Sequence, residues 1–347
     1  MTTGHWLLYG ANGFTGRLIA EQATRRGLRP VLAGRRAQAI APLAAQLGLE
    51  YRVFDLDDTR ALDDALREVG TILLAAGPFS STSRPVVDAC LRTGAAYLDI
   101  TGEIAVFESI FVRAAPGCVL LPGVGFDVVP SDCLAASLHG ALPDTTHLEL
   151  AFQGGGPPSR GTLRTMLEGL GLGGAIRANG QIRSDPLFSR TRDVPFHDRI
   201  RATVAIPWGD VSTAYYSTGI SNIVVYRAFP RATARMLPVL RALLSLATLP
   251  PVNALLRRLV DRATSKPTAP GSESAQLWGR VSNASGRAVE GTLSTPQAYT
   301  LTALTAVECA HRVATGVLAP GAYTPSMAFG AGFITEFDGC ELRVAAQ

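Results

Sequence analysis

Over the first 130 residues, short apolar runs alternate with segments of helical period. Trp6-Leu-Leu-Tyr9 is followed by Gly10-Ala-Asn-Gly13-Phe-Thr-Gly16 and by a helical pattern that starts with Phe14 and Leu18 four residues apart. The same alternation predicts a strand at Val31–Ala33 and a helix over Ala37–Leu47, then a strand at Tyr51–Phe54 and a helix over Thr59–Val69. It continues with a strand at Thr71–Ala75, a helix over Arg84–Arg92, a strand at Ala96–Ile100, a helix over Ala105–Ala114 and a strand at Val119–Leu121. Apolar runs of three to five residues, each followed by a helix, predict βαβ units and a parallel sheet buried on both faces. Six such strands match the doubly wound dinucleotide fold, whose ligand lies beyond the carboxyl ends of the strands.

The second half is patterned less regularly. Leu148–Phe152, Arg201–Ile206, Val211–Tyr216, Ile223–Tyr226, Gln276–Val281 and Val289–Leu293 read as strands of an antiparallel or mixed sheet. Gly154-Gly-Gly-Pro-Pro is a turn feeding a helix over Leu163–Leu170, capped by Ser159 or Thr162. A further helix is expected near Pro296–Ala314, and Thr324-Pro325 should open a last one whose Phe329, Phe333 and Phe337 line an apolar face. Ser131 reads as a helix N-cap.

Composition narrows the classes. The 347 residues suffice for two domains, and 47% hydrophobic against 17% charged residues excludes disorder as the main state. A net charge of +4 is too mild to call for nucleic acid, and no nucleic-acid motif is present. Lys266 is the only lysine, which argues against Schiff-base chemistry elsewhere. The five cysteines are scattered without a Cys-x-x-Cys pair, and the five histidines lack ligand spacing, so no disulfide framework and no metal site are expected. The start carries no basic region followed by an apolar core, and no apolar run is long enough to span a bilayer. A cytoplasmic location is expected, with membrane-peripheral as the alternative.

The glycine motif takes its meaning from its place between a strand and a helix. Gly10 permits a tight turn, Gly13 lets backbone N–H groups approach a pyrophosphate, and Gly16 lets the helix pack on the strand. Ala11, Asn12, Phe14 and Thr15 complete this cofactor loop. At the second strand's end, where an NAD site places a carboxylate, the chain has Ala33-Gly-Arg35-Arg36. The fork of guanidinium donors suits a 2′-phosphate, so NADP(H) is preferred. Asp55 is placed either to reach the adenine or to cap the next helix. Tyr97, Asp99 and Thr101 share one strand face, open either to a proton relay or to a buried Tyr–Asp pair that holds the sheet.

These stretches also carry a resemblance. Tyr9-Gly-Ala-Asn-Gly-Phe-Thr-Gly-Arg17, Gly77-Pro-Phe79, Tyr97-Leu-Asp-Ile-Thr-Gly-Glu103, Pro122–Asp132, Gly156–Thr162, Ile206–Ile220 and Gly316–Gly332 together resemble the saccharopine dehydrogenase-like oxidoreductases, nearest to their trans-acting enoyl reductase branch. The resemblance implies an NADP-binding Rossmann domain over 1–130, completed by 318–347 through a returning C-terminal helix. An α+β substrate domain would then cover 131–317. Ala76, Gly77, Pro78 and Phe79 would border the nicotinamide. Thr101, Glu103, Phe126, Asp127 and Asp210, all within these motifs, are expected to contact substrate, and Tyr97, Asp99, Tyr215 and Tyr216 are the candidate catalytic residues. The implied reaction is NADPH-dependent reduction of an enoyl C=C bond. The alternatives are a C=N reductase or a non-catalytic NADP-binding scaffold at a lipid surface.

The segment 227–266 holds eight basic residues against Asp261 alone, and a basic amphipathic helical stretch is expected at about 231–262. Such an element suits an anionic membrane surface or an acidic acyl carrier protein, or it is a helix pair with solvated arginines. A homodimer stays open.

Overall fold

A computed structural model of the chain describes residues 5–113, 117–154, 163, 173–244, 252, 258 and 274–345. Two compact units emerge, one of Met1–Val129 with Tyr299–Phe329 and one of Pro130–Ala298 with Gly330–Gln347.

The first unit is built on a parallel sheet of seven strands. In chain order its elements are β1 (Leu7–Tyr9), α1 (Phe14–Arg25), β2 (Val31–Gly34), α2 (Ala37–Leu47), β3 (Tyr51–Val53), α3 (Thr59–Val69) and β4 (Thr71–Leu74). They continue as α4 (Phe79–Thr93), β5 (Ala96–Asp99), α5 (Ile104–Phe111) and β6 (Val119–Leu121). The strands lie in the order β3-β2-β1-β4-β5-β6, so the direction of winding reverses between β1 and β4. Leu7, Leu8, Leu32, Ile72, Leu73, Leu74 and Leu98 are fully buried, as a sheet covered on both faces requires. The seventh strand is a two-residue piece beside β6 at Gly321–Ala322.

The second unit opens with α6 (Val129–Ala141) and β7 (Thr145–Gln153). Next come β8 (Gly174–Ala178), β9 (Gln181–Asp185), β10 (Thr191–Pro195), β11 (Ile200–Ala205), α7 (Asp210–Thr218), β12 (Asn222–Ala228) and α8 (Arg231–Leu244). The chain then runs through β13 (Ala275–Asn283) and β14 (Ala288–Thr295), returns to the first unit with α9 (Ala298–Ala314), β15 (Gly321–Ala322) and α10 (Pro325–Phe329), and ends in the second with β16 (Glu341–Val344). The second sheet runs β10-β11-β12-β7-β13-β14-β16, antiparallel except for the β7–β12 pair, with the β8–β9 hairpin attached to β12. Glycine decides how α6 sits on it. A Cβ at Gly279 would lie 2.6 Å from a Leu138 methyl, and one at Gly291 would lie 3.2 Å from Leu138 and 3.3 Å from Leu134.

Four expectations change. Val211–Tyr216 is not a strand but the middle of α7, whose Val211, Ala214 and Thr218 are buried at helical spacing and whose Gly219 ends it in the left-handed region at φ 73°. Phe329, Phe333 and Phe337 do not share one helix, because Gly330 at φ 88° separates α10 from a 3-10 turn at Ala331–Glu336. Segment 330–347 joins the second unit through β16 on β14, whereas 299–317 joins the first. Ser131 lies inside α6 rather than at its cap. The helix expected over 163–170, its Ser159 or Thr162 cap and most of 245–273 lie outside the described residues.

Candidate functional site

The carboxyl ends of β1, β2 and β4 meet at the glycine loop. Gly10 adopts φ 86° and donates its N–H to the Ala33 carbonyl at 2.8 Å, turning the chain out of β1. A Cβ at Gly10 would lie 2.9 Å from the backbone of Ala75 and Ala76, so the end of β4 is packed directly under the loop. A Cβ at Gly16 would overlap the Gly10 carbonyl oxygen, which fixes how closely α1 approaches β1. Gly13 precedes α1 in extended conformation and no side chain caps the helix start. Asn12 and Gly13 are exposed, Phe14 and Thr15 partly so, and Ala11 is buried. The first N–H groups of α1 therefore face an open cradle that a phosphate can enter.

Arg35 and Arg36 follow β2 and are exposed. Neither side chain is held in an ion pair among the described residues, and Arg36 stands at the N-cap of α2 without a side-chain cap bond. The Asn12 side-chain oxygen lies beside Gly34, so the loop and the arginine pair border one place. Asp55 is exposed, and its Oδ1 accepts the Asp57 N–H at 3.2 Å. The cap of α3 is Asp58 instead, which accepts from Ala61 N–H at 3.0 Å.

Beyond β4, Ala76 and Gly77 lead through a cis peptide into Pro78 and the first turn of α4. Here the expectation for Glu103 changes. Its two carboxylate oxygens accept the Phe79 N–H at 2.9 Å and the Ser80 N–H at 2.8 Å, so it caps α4 rather than waiting for a substrate. Glu103→Ala is expected to remove both charge-assisted bonds and lower stability by about 1–2 kcal/mol. A urea midpoint shift would register it, and an unchanged midpoint would refute the cap.

Tyr97 and Asp99, candidates for proton transfer, are both fully buried. The Tyr97 hydroxyl donates to Asp99 Oδ2 at 2.5 Å, while Oδ1 accepts from Thr101 N–H at 3.0 Å and Gly123 N–H at 2.8 Å. Burial pushes the Asp99 carboxyl up to about 6 against these three bonds, and burial beside Asp99 drives the Tyr97 hydroxyl well above its ordinary range. Thr101, also fully buried, accepts from Glu103 N–H at 3.1 Å. The geometry thus favours the buried pair that holds the sheet: the network links the end of β5 to the turn after β6 and, through Glu103, to α4. With no exposed face, neither Tyr97 nor Asp99 is open to substrate in this arrangement. Phe126 is buried with its N–H on Thr302 Oγ1 at 3.0 Å, and the Asp127 carboxylate fits against Gly102, where a Cβ would lie 2.9 Å from Oδ2.

Three candidates lie in the other unit. Asp210 is buried in the first turn of α7, and Tyr215 and Tyr216 are partly exposed near its end. The buried Arg177 guanidinium stacks on the Tyr215 ring at 4.2 Å and donates to the carbonyls of Val211 at 2.8 Å and Gly180 at 2.7 Å. No sequence motif marks Arg177, and the helix expected near Pro296–Ala314 belongs, as α9, to the first unit rather than the second. There Tyr299 packs edge-on against Phe14 at 5.0 Å, and Thr305 donates to the Val124 carbonyl at 2.8 Å. Nearly 300 residues separate Phe14 from Tyr299, so no local pattern could pair them.

Comparison with known proteins agrees with this geometry. Residues 6–115 match the family model described as saccharopine dehydrogenase NADP binding domain. The chain is 33% identical over 145 residues to a trans-acting enoyl reductase of Mycobacterium leprae, covering 38% of this chain and 35% of that protein. It is 28% identical over 228 residues to a lipid droplet localized protein of Caenorhabditis elegans, covering 58% of this chain and 51% of that one. The matched stretches thus span about half or less of these relatives. Among solved structures, apo saccharopine dehydrogenase (L-Glu forming) of Saccharomyces cerevisiae superposes over 99% of this chain and 100% of its own at a TM-score of 0.69, with 11% identity, a likeness of fold. The open glycine cradle, the exposed Arg35 and Arg36 and the match over 6–115 lead to one conclusion: residues 6–115 form a domain similar to the NADP-binding domain of saccharopine dehydrogenase, and the cofactor is NADP(H).

Proposed function

We propose that the protein is an NADPH-dependent reductase of a C=C bond conjugated to an acyl carbonyl, acting on a lipid-like or polyketide-type chain. The observation that carries the reading is the similarity to the trans-acting enoyl reductase, which falls on a chain whose glycine loop and arginine pair fit NADPH. NADPH, when bound, supplies the hydride. The N–H groups of the α1 start would hold the pyrophosphate, Arg35 and Arg36 would hold the 2′-phosphate, and Ala76–Phe79 would border the reactive end. The lipid droplet relative supports an apolar substrate.

The carboxylates beside β4 and β5 support an uncharged reacting group. Asp99 and Glu103 both accept from backbone N–H groups of their own unit, which leaves neither disposed to grip the ammonium of an amine substrate. The proton that completes the reduction then comes from water or from a tyrosine other than Tyr97. Purified protein is expected to oxidise NADPH with a medium-chain enoyl thioester, followed by the loss of nicotinamide absorbance. Oxidation that instead requires a keto acid together with an amine would overturn the C=C reading in favour of C=N reduction. Tight NADPH binding without turnover on either substrate would leave a scaffold.

A further inference from the structure

Where α8 begins beside β11, the second unit exposes apolar and basic side chains together. Ile200 is 60% exposed and Met236 56%, both large hydrophobic residues left in water. The backbone holds their segments side by side: the Phe229 N–H, just before α8, donates to the Ala202 carbonyl of β11 at 3.1 Å. Arg231 reaches Asp193 at 3.6 Å, on the strand that pairs with β11. Arg199 and Arg231 are 67% and 64% exposed, and Arg235 is exposed as well. Asp193 and Asp198 are the acids among them, Asp198 lying 3.5 Å from Arg199 and 2.7 Å from Arg201. The patch stays positive, and the sequence continues the trend, with eight basic residues against one acidic over 227–266 in a chain of net +4. The rest of the chain is therefore net negative, so the excess positive charge of the sequence falls within 227–266.

We propose that this patch seats the protein on an anionic lipid surface. Arginines around exposed aliphatic side chains match the boundary between headgroups and acyl chains, where guanidinium meets phosphate and the apolar tips enter the hydrocarbon. An acidic protein partner would satisfy the arginines but would leave Ile200 and Met236 without a reason to be exposed. Among the described residues no helix is long and apolar enough to cross a membrane. The inference stands on charge and exposure and does not depend on which bond the enzyme reduces.

The test uses the full chain and vesicles of phosphatidylcholine alone or with equimolar phosphatidylserine, scored by co-sedimentation. Binding is expected to the phosphatidylserine vesicles at low salt and to fall steeply as salt shortens the screening length toward about 3 Å near 1 M. Each basic residue near such a surface strengthens binding roughly fivefold, so Arg199→Glu/Arg231→Glu/Arg235→Glu should weaken it by about a hundredfold or more. That variant should keep NADPH affinity and thermal midpoint. Arg25→Glu/Arg60→Glu/Arg84→Glu, which changes net charge equally on the first unit, should bind nearly as the parent does. Met236→Asp should weaken binding even at low salt. Absence of binding to phosphatidylserine vesicles at low salt, equal loss in both triple variants, or binding to an acidic carrier protein without binding to vesicles would each overturn the proposal. Because the salt and lipid comparisons use the unaltered protein, they decide the matter even if the patch variant folds poorly.

Discussion

Replacing Arg35 and Arg36 together with alanine is expected to weaken NADPH binding at least tenfold while leaving NADH binding nearly unchanged. Both residues are exposed, neither is held in an ion pair among the described residues, and no side-chain bond caps α2, so the fold loses little. A charge-assisted bond to phosphate is worth about 1.5–3 kcal/mol, and NADH has no 2′-phosphate to lose one. Calorimetric titration of both dinucleotides into both proteins measures the difference directly. Equal loss for the two would remove these arginines from the 2′-phosphate and leave only the glycine loop as the basis of binding.

The second large effect is expected at Asp99. Asp99→Ala strands three buried donors at once, the Tyr97 hydroxyl and the N–H groups of Thr101 and Gly123. At about 1–3 kcal/mol for each unsatisfied buried group, the loss should be at least about 3 kcal/mol in denaturant unfolding. Asp99→Asn separates charge from shape. Burial disfavours the ionised form of Asp99 and pushes its carboxyl up from the ordinary 3.8 to about 6 in the folded chain. A raised folded value means that the stabilising contribution is complete below the unfolded value and is lost as pH rises through 6. Between about pH 4 and 6 the parent should lose stability relative to Asp99→Asn, by of order 2–3 kcal/mol. A difference that stays flat across this window would show that Asp99 does not carry the titration. Tyr97→Phe, by contrast, should cost stability and leave turnover per folded molecule intact.

The first unit was largely legible because its physics is local. A buried parallel strand must be apolar over a few residues, and a helix start beside a pyrophosphate must be glycine, so β1 to β6 and the loop at Gly10–Gly16 follow from composition along short windows. Glu103 shows the limit. Its strand-end position resembles that of a ligand contact, but the donors it satisfies belong to Phe79 and Ser80, more than twenty residues away. In the second unit, Val211–Tyr216 is rich in β-branched and aromatic residues and so reads as strand. Tertiary packing overrides that preference, with the buried Arg177 holding the Val211 carbonyl and stacking on Tyr215. The β8–β9 hairpin carries its signal in Asn179-Gly180, both of them in the left-handed region, rather than in the hydrophobic pattern of its strands.

The order of assembly carries a consequence for synthesis. The Phe126 N–H finds its acceptor on Thr302, 176 residues further on, and β6 gains its outer neighbour only at Gly321–Ala322. During translation the dinucleotide unit therefore emerges with one sheet edge uncovered while most of the second unit, 130–298, is still being made. At about 5–20 residues per second that interval is roughly 10–40 s, long compared with the folding of a small domain. An unpaired strand edge exposed for that long is a template for association with other nascent chains. Yield in a fast-translating host should then be limited less by final stability than by chaperone supply during this window.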